Sequence, residues 1–107
     1  MGDPIDDEHM EATKLFREGS GEIKEGYEEW QEDIREETDF DPKMRELISL
    51  AAAASTQCKF CVHSHGQKAL KHGASKEEVA QVVQLAAQVR AGATMSYGLE
   101  ALEHAEE

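Results

Sequence analysis

The sequence predicts an all-α protein, a helical bundle of about five to six helices, and three observations support this. Aromatic residues make up only 6% of the chain, whereas alanine and glutamate are abundant. No segment alternates between apolar and polar residues with the period of two that a half-buried strand requires. Apolar residues instead recur at helical spacing, and the clearest stripe consists of Ile23, Tyr27, Trp30 and Ile34.

Helix ends in the first half of the chain are marked by breakers and caps. A short helix is expected over residues 9–17, stopped by the glycines at positions 19 and 21, and the apolar stripe forms the next helix. Asp41 followed by Pro42 is typical of an N-cap and a first helical position. We therefore expect a third, alanine-rich helix from Pro42 to about Thr56.

The second half of the chain predicts two further helices. Ser55 or Thr56 is expected to cap a helix that begins at about Cys58 and ends before Gly73, because glycine is favoured just past a helix end. Ser75 and Glu78 have the spacing of a capping box, which opens the last long helix.

The acidic residues are concentrated at the start of the chain. Residues 1–41 hold 16 Asp/Glu against 4 Lys/Arg, whereas residues 42–107 hold 7 of each, so the net charge of −12 belongs to the first segment. We expect one domain overall, with an acidic N-terminal helical region at 1–41 and a core at 42–107. This balance argues against a nucleic-acid partner, because few cations are present to neutralise phosphates.

The composition also predicts where the protein resides. No run approaches the ~18 apolar residues of a membrane span, and the first residues lack the basic and apolar regions of a signal peptide. We expect a soluble, cytoplasmic protein that has no membrane partner. In a reducing cytosol, a pair of cysteines separated by two residues is more often redox-active or metal-binding than structural.

The segment from Cys58 to His65 carries the candidate chemistry. In a helix, Cys58 and Cys61 are three positions apart and can form a disulfide, while Cys61 and His65 are four apart and lie on one face. Cys58 falls at a helix N-terminus, where free N–H groups stabilise a thiolate. His65 can accept the proton of Cys61 or pair with its thiolate.

Glu46 completes a candidate relay. If the two central helices fold back on each other at Thr56 and Gln57, Glu46 lies opposite about position 67, within one turn of His65. A carboxylate there would orient the imidazole and hold its proton. The resulting hypothesis is a Glu46–His65–Cys61 relay with Cys58 as the disulfide partner.

This segment resembles a known family. Residues 45–79, RELISLAAAASTQCKFCVHSHGQKALKHGASKEEV, resemble the alkylhydroperoxidase D-like (AhpD-like) branch of the carboxymuconolactone decarboxylase family, and the likeness extends over roughly residues 40–95. The motif of that branch is a Glu, eleven residues, Cys-x-x-Cys, three residues and a His. Its positions are met by Glu46, Cys58, Cys61 and His65.

The resemblance implies an AhpD-like helical bundle that forms an obligate homo-oligomer, often a trimer or hexamer. It also implies a peroxiredoxin-type alkylhydroperoxidase, or disulfide oxidoreductase, that reduces hydroperoxides and receives electrons from a dithiol or protein donor. In that branch the second cysteine attacks and the first resolves, which suggests Cys61 and Cys58 respectively. Helix-end electrostatics favours Cys58 as the thiolate, so the order stays open.

One position departs from the family pattern. Better-studied members carry a histidine just before the second cysteine, where this chain has Phe60. His63 is a candidate substitute, but it lies beyond Cys61, two positions from both Cys61 and His65 and therefore on a different face of the helix. This difference weakens the transfer of the full relay and is compatible with slower or different chemistry.

Three other interpretations remain open. The cysteines could be small buried apolar residues, or they could hold zinc together with His63 and His65, although ligands within one helix wrap a tetrahedron poorly. The chain could also be a non-catalytic redox sensor or assembly module whose acidic segment recognises a partner. No glycine-rich phosphate loop is present, and we expect neither a cofactor nor a metal.

Overall fold

The protein is all-α, as predicted. The computed structural model describes residues 7–103 and 105, and these contain six helices and no strand. The helices are α1 (Asp7–Ser20), α2 (Glu22–Glu37), α3 (Pro42–Ser55), α4 (Lys59–Lys71), α5 (Lys76–Gly98) and α6 (Glu100–Glu103). Residues 1–6 of the expected acidic region and residues 104, 106 and 107 of the expected core lie outside the described residues. No helix in the described part is long and apolar enough to cross a membrane.

The chain divides into two compact units, one ending at Phe40 and one beginning at Asp41. The first unit contains α1 and α2, which contact each other across Gly21, a residue with φ of 57°. Helix α1 continues through Gly19 to Ser20, further than the expected Arg17, because only the positive φ of Gly21 ends it.

The apolar stripe of α2 is not a core in the described chain. Ile23, Tyr27 and Trp30 are 79%, 56% and 60% exposed. The rings of Tyr27 and Trp30 contact each other with centroids 6.1 Å apart, and the amide of Gln31 donates to the Tyr27 hydroxyl at 3.2 Å. The stripe is therefore an ordered but uncovered face of the first unit.

The second unit is built around α3, which packs against both α4 and α5. Asp41 caps α3 by accepting the Met44 N–H at 2.8 Å, and Pro42 occupies the first turn as predicted. A small core forms where Leu47 of α3 meets Ala69 of α4 and Ala74, with Val79 and Val82 of α5 packed against it. Ala69, which is fully buried, is small enough to allow this close approach of α3 and α4.

The end of α4 and the start of α5 agree with the predictions from the sequence. Gly73 has a φ of 98° and its N–H donates to Leu70 O, while Ala74 N–H donates to Ala69 O, so the end of α4 is a Schellman motif. Ser75 and Glu78 form the predicted capping box, with both reciprocal hydrogen bonds present. Helix α5 runs through Gly92 without interruption and ends at Gly98.

Candidate redox site

The junction between α3 and α4 positions the first cysteine. Gln57 has a φ of 58°, in the left-handed region that side chains other than glycine disfavour. Its N–H donates to Ala54 O at 3.2 Å, and the Cys58 N–H donates to Ala53 O at 3.1 Å. This is a second Schellman motif, and it turns the chain so that the residue after Gln57 begins the next helix.

Cys58 itself is the N-cap of α4, and the expected caps, Ser55 and Thr56, are wrong. The Sγ of Cys58 accepts the backbone N–H of Cys61 at 3.2 Å. Ser55 is the last residue of α3, and the Thr56 hydroxyl donates back to Ala52 O at 3.0 Å. Because the left-handed Gln57 moves the cap from the expected Ser55 or Thr56 to Cys58, the sulfur takes the place of the usual capping oxygen.

Cys58 and Cys61 are joined by a disulfide across the first turn of α4. Their Cα atoms are 5.2 Å apart, a separation ordinary for a disulfide. Both residues are half-buried. The pair therefore occupies a helix N-terminus, where a free thiolate at Cys58 would be stabilised by the Cys61 N–H and by the helix dipole.

Glu46 and His65 form a hydrogen bond that connects α3 to α4. The His65 Nδ1 lies 2.6 Å from the Glu46 Oε2. Glu46 is only 8% exposed, whereas about a third of the His65 side chain is accessible. A buried carboxylate is costly unless it is paired, so the fold holds this imidazole in one orientation. With Nδ1 occupied, Nε2 is the ring nitrogen able to exchange a proton with another group.

The geometry brings the four predicted residues into one region. Cys61 and His65 both lie within α4, one turn apart, where side chains at this spacing have Cβ atoms about 5–6 Å apart. Glu46 reaches the same turn from α3 because the short junction makes the two helices antiparallel neighbours. A carboxylate–imidazole pair therefore stands next to a cysteine pair, an arrangement suited to proton-coupled thiol chemistry.

The neighbouring positions complete the description of the site. Phe60, at the position where the family pattern has histidine, is 39% exposed. His63 is half-buried and lies on a different face of α4 from His65. Within residues 7–103, no group of three or more His, Cys, Asp or Glu side chains is arranged to hold a metal ion. The left-handed conformation of Gln57, which positions Cys58, was not predicted from the sequence, because left-handed helix ends are normally signalled by glycine.

Comparison with known proteins identifies relatives over this same region. The family model described as the carboxymuconolactone decarboxylase family matches residues 21–104. "Uncharacterized protein 4 in cox locus" of Paracoccus denitrificans is 36% identical over 62 residues, which cover 58% of this chain and 56% of that protein. An uncharacterized protein of Cupriavidus necator is 33% identical over 61 residues, which cover 57% and 54%. The chain thus matches a little over half the length of these curated relatives.

The fold is also found in a solved structure. The crystal structure of a protein from Methanobacterium thermoautotrophicum superposes with a TM-score of 0.78 and 28% sequence identity, covering 84% of this chain and 98% of that one. The match of the family model extends over most of the chain, including the whole of the cysteine and Glu46–His65 region. The chain therefore belongs to the carboxymuconolactone decarboxylase family, which contains enzymes and of which the AhpD-like branch is a part.

Proposed function

We propose that the protein is a thiol-dependent hydroperoxide reductase of the alkylhydroperoxidase type. The single observation that carries this proposal is the 2.6 Å bond between Glu46 and His65, which holds an imidazole one helical turn from the Cys58–Cys61 disulfide. A structural disulfide needs no oriented base beside it. A cysteine that must gain and lose protons does.

The proposed reaction begins from the reduced pair. The thiolate of Cys61 attacks the distal oxygen of a hydroperoxide ROOH, the O–O bond breaks, and the sulfur becomes a sulfenic acid while RO⁻ leaves. A proton from the His65 relay converts RO⁻ to the alcohol ROH. The thiol of Cys58 then attacks the Cys61 sulfur, and water is released as the disulfide forms. Two electrons pass from the dithiol to the peroxide.

The disulfide is returned to the dithiol by an external reductant. A small dithiol or a reduced protein thiol pair supplies two electrons and two protons, and is itself oxidised to a disulfide. Such a cycle suits a cytoplasmic protein, since that compartment keeps thiols reduced. The half-buried position of both cysteines leaves the pair open to such a donor.

We assign the roles of the two cysteines from their positions on α4. Cys61 lies one turn before His65 and is therefore the residue whose proton the imidazole can take. Cys58, at the N-cap, has a sulfur that accepts a backbone N–H, which favours it as the resolving thiolate and as the leaving group during re-reduction. The N-terminus of α4 thus assists disulfide formation, and the Glu46–His65 pair assists the attack on the peroxide.

The test is steady-state peroxide turnover with dithiothreitol as the electron donor. We expect wild type to reduce cumene hydroperoxide, and Cys61→Ser to abolish turnover. Cys58→Ser should lose the catalytic cycle but still undergo the first step, leaving a sulfenic acid on Cys61 that dimedone traps. Full turnover in both single variants would exclude the dithiol mechanism.

A second candidate, a redox-sensing assembly module, is favoured by the exposed apolar face of α2. Trp30 is 60% and Ile23 79% exposed in the single chain, and such a face is typical of an interface. Both candidates include a homo-oligomer, a trimer or hexamer by analogy with the family. The sensor alone requires that size or partner binding changes on oxidation with negligible turnover, so size-exclusion runs on the reduced and oxidised protein separate the two.

A further inference from the structure

A groove in the second unit borders the turn that carries Cys58. It lies between the end of α3 and the middle of α5, and its volume of about 440 Å³ is in the range of small-molecule sites. The walls are mostly alanine and valine, with polar side chains at a few points. The residues relevant to binding are Ala54, Gln57, Val83, Ala87, Arg90 and Thr94.

Arg90 gives this groove its electrostatic character. It is the only charged residue from Val79 to Leu99, in a chain of which 32% of residues are charged. Among the described residues, Arg90 forms no salt bridge and no side-chain hydrogen bond. A guanidinium offers planar N–H donors that match a carboxylate in a two-point contact. The groove therefore presents a cation that none of the described acids pairs with, in a protein whose net charge is −12.

One residue of the groove is next to the first cysteine in the chain. Gln57, which lines the groove, is joined by a peptide bond to Cys58, so their Cα atoms are about 3.8 Å apart. Ala86 and Ala87, in the turn of α5 before Arg90, add an apolar surface to the same groove. A molecule with an anionic end and an apolar body would satisfy both parts of this surface.

We propose that this groove binds the non-reacting part of the substrate and selects hydroperoxides that carry a carboxylate. The carboxylate pairs with Arg90, the hydrocarbon part lies on the alanine wall, and the hydroperoxide end reaches the Cys58–Cys61 turn. This inference rests on the proposed function and adds a substrate class to it. The chemical step is unchanged: the peroxide is reduced to an alcohol as the dithiol becomes a disulfide.

The test compares cumene hydroperoxide with its para-carboxylate derivative, two substrates that differ by one charged group. For wild type, we expect a lower KM for the carboxylated peroxide. Arg90→Gln should raise that KM by about tenfold or more and change the KM for cumene hydroperoxide much less, whereas Arg90→Lys should retain part of the preference. Lys76→Gln is the matched control, since it removes one positive charge from the same helix outside the groove.

Three results would overturn the inference: equal KM values for the two peroxides in wild type, an unchanged ratio in Arg90→Gln, or an equal change for both substrates, which would mean a structural role. If wild type reduces neither peroxide, the proposed function fails. In that case the site is tested by calorimetric binding of the para-carboxylated alcohol product. Binding that is lost in Arg90→Gln supports the groove, and binding that is absent or insensitive to Arg90 refutes it.

Discussion

Glu46 links the helical fold to the proposed chemistry. It is a carboxylate on the buried side of α3, 8% exposed, and its Oε2 is bonded to the His65 Nδ1. Burial of an unpaired carboxylate costs several kcal/mol. Glu46 is tolerated at this buried position because the imidazole of His65 pairs with it. The same bond directs the second ring nitrogen away from Glu46, toward proton exchange with another group.

Substitution of this pair tests its role directly. We expect His65→Asn to lower kcat/KM for cumene hydroperoxide by about 10²- to 10⁴-fold, the usual contribution of a general acid–base. Glu46→Gln should cause a smaller loss together with a changed pH–rate profile, because the amide cannot hold the imidazolium. His63→Asn is the matched control on another face of α4. A His63 variant as impaired as the His65 variant would contradict the assignment.

At this scale, the sequence identifies residues within one helix better than residues that meet across helices. Cys58, Cys61 and His65 follow from spacing alone, because helical geometry fixes their relation. Glu46 required the additional inference that α3 and α4 fold back at residues 56 and 57, and the structure brings it to His65. Arg90 was not predicted, because its importance depends on the groove that surrounds it rather than on any local motif.

The helix ends on either side of α4 have the same left-handed backbone motif, formed by different residues. Gly73 takes the left-handed position after the helix, as glycine commonly does. Gln57 takes the corresponding position before it, at the end of α3, with a φ of 58°. No sequence rule favours glutamine there, so the prediction placed the cap at Ser55 or Thr56.

Exchanging the residue types at these two turns has opposite expected effects. Gln57→Gly should stabilise the fold by about 0.5–1 kcal/mol, since removal of the left-handed penalty outweighs the extra freedom of glycine in the unfolded chain. Gly73→Ala should destabilise it by about 1 kcal/mol, purely through the backbone, because a Cβ there meets nothing within 4 Å. Urea unfolding measures both. A lower midpoint for Gln57→Gly would contradict this account.

The start of α5 predicts a pH dependence of stability. The backbone N–H of Ser75, followed by the ammonium of Lys43, lowers the pKa of Glu78 from its ordinary value of 4.5. A carboxyl group whose pKa is lowered on folding stabilises the protein above its ordinary pKa. That stabilisation is lost as the pH falls through the lowered value.

We therefore expect the free energy of unfolding of wild type to decline below about pH 4.5 more steeply than that of Glu78→Gln. Glu77→Gln, a change at the neighbouring exposed acid of the same helical turn, is the control and should retain the wild-type slope. Denaturant titrations compare the three proteins over about two pH units on either side of the ordinary value of 4.5. Equal slopes for wild type and Glu78→Gln would contradict the assignment.

The described residues expose more apolar surface than is expected of a monomeric protein. The described core contains only Leu47, Leu50, Ala53, Ala69 and Ala74. The exposed side chains include Phe16, Ile23, Tyr97 and Leu102, each at least 69% accessible. Local sequence patterns determine where helices form, so the fold class could be predicted from the sequence alone. Burial was less predictable, because the surfaces that would cover these helices do not come from within either unit.

We propose that assembly into a homo-oligomer covers these surfaces, and we expect a mass in solution that is a multiple of the 11.9 kDa chain. Trp30→Glu places a charge on the apolar face of α2 and should lower that mass or the association constant. Glu29→Gln, at the adjacent solvent-facing position, should leave assembly intact. Sedimentation equilibrium distinguishes these outcomes, and a monomeric wild type would remove the basis for an interface.

Thiol titration tests the central claim most directly, namely that Cys58 and Cys61 cycle between dithiol and disulfide at the expense of a hydroperoxide. The fully reduced protein should lose both free thiols of each chain on addition of one equivalent of cumene hydroperoxide, with one equivalent of alcohol formed. His65→Asn should reach the same end point more slowly. Retention of both thiols in the wild-type protein while the peroxide remains intact would contradict the account.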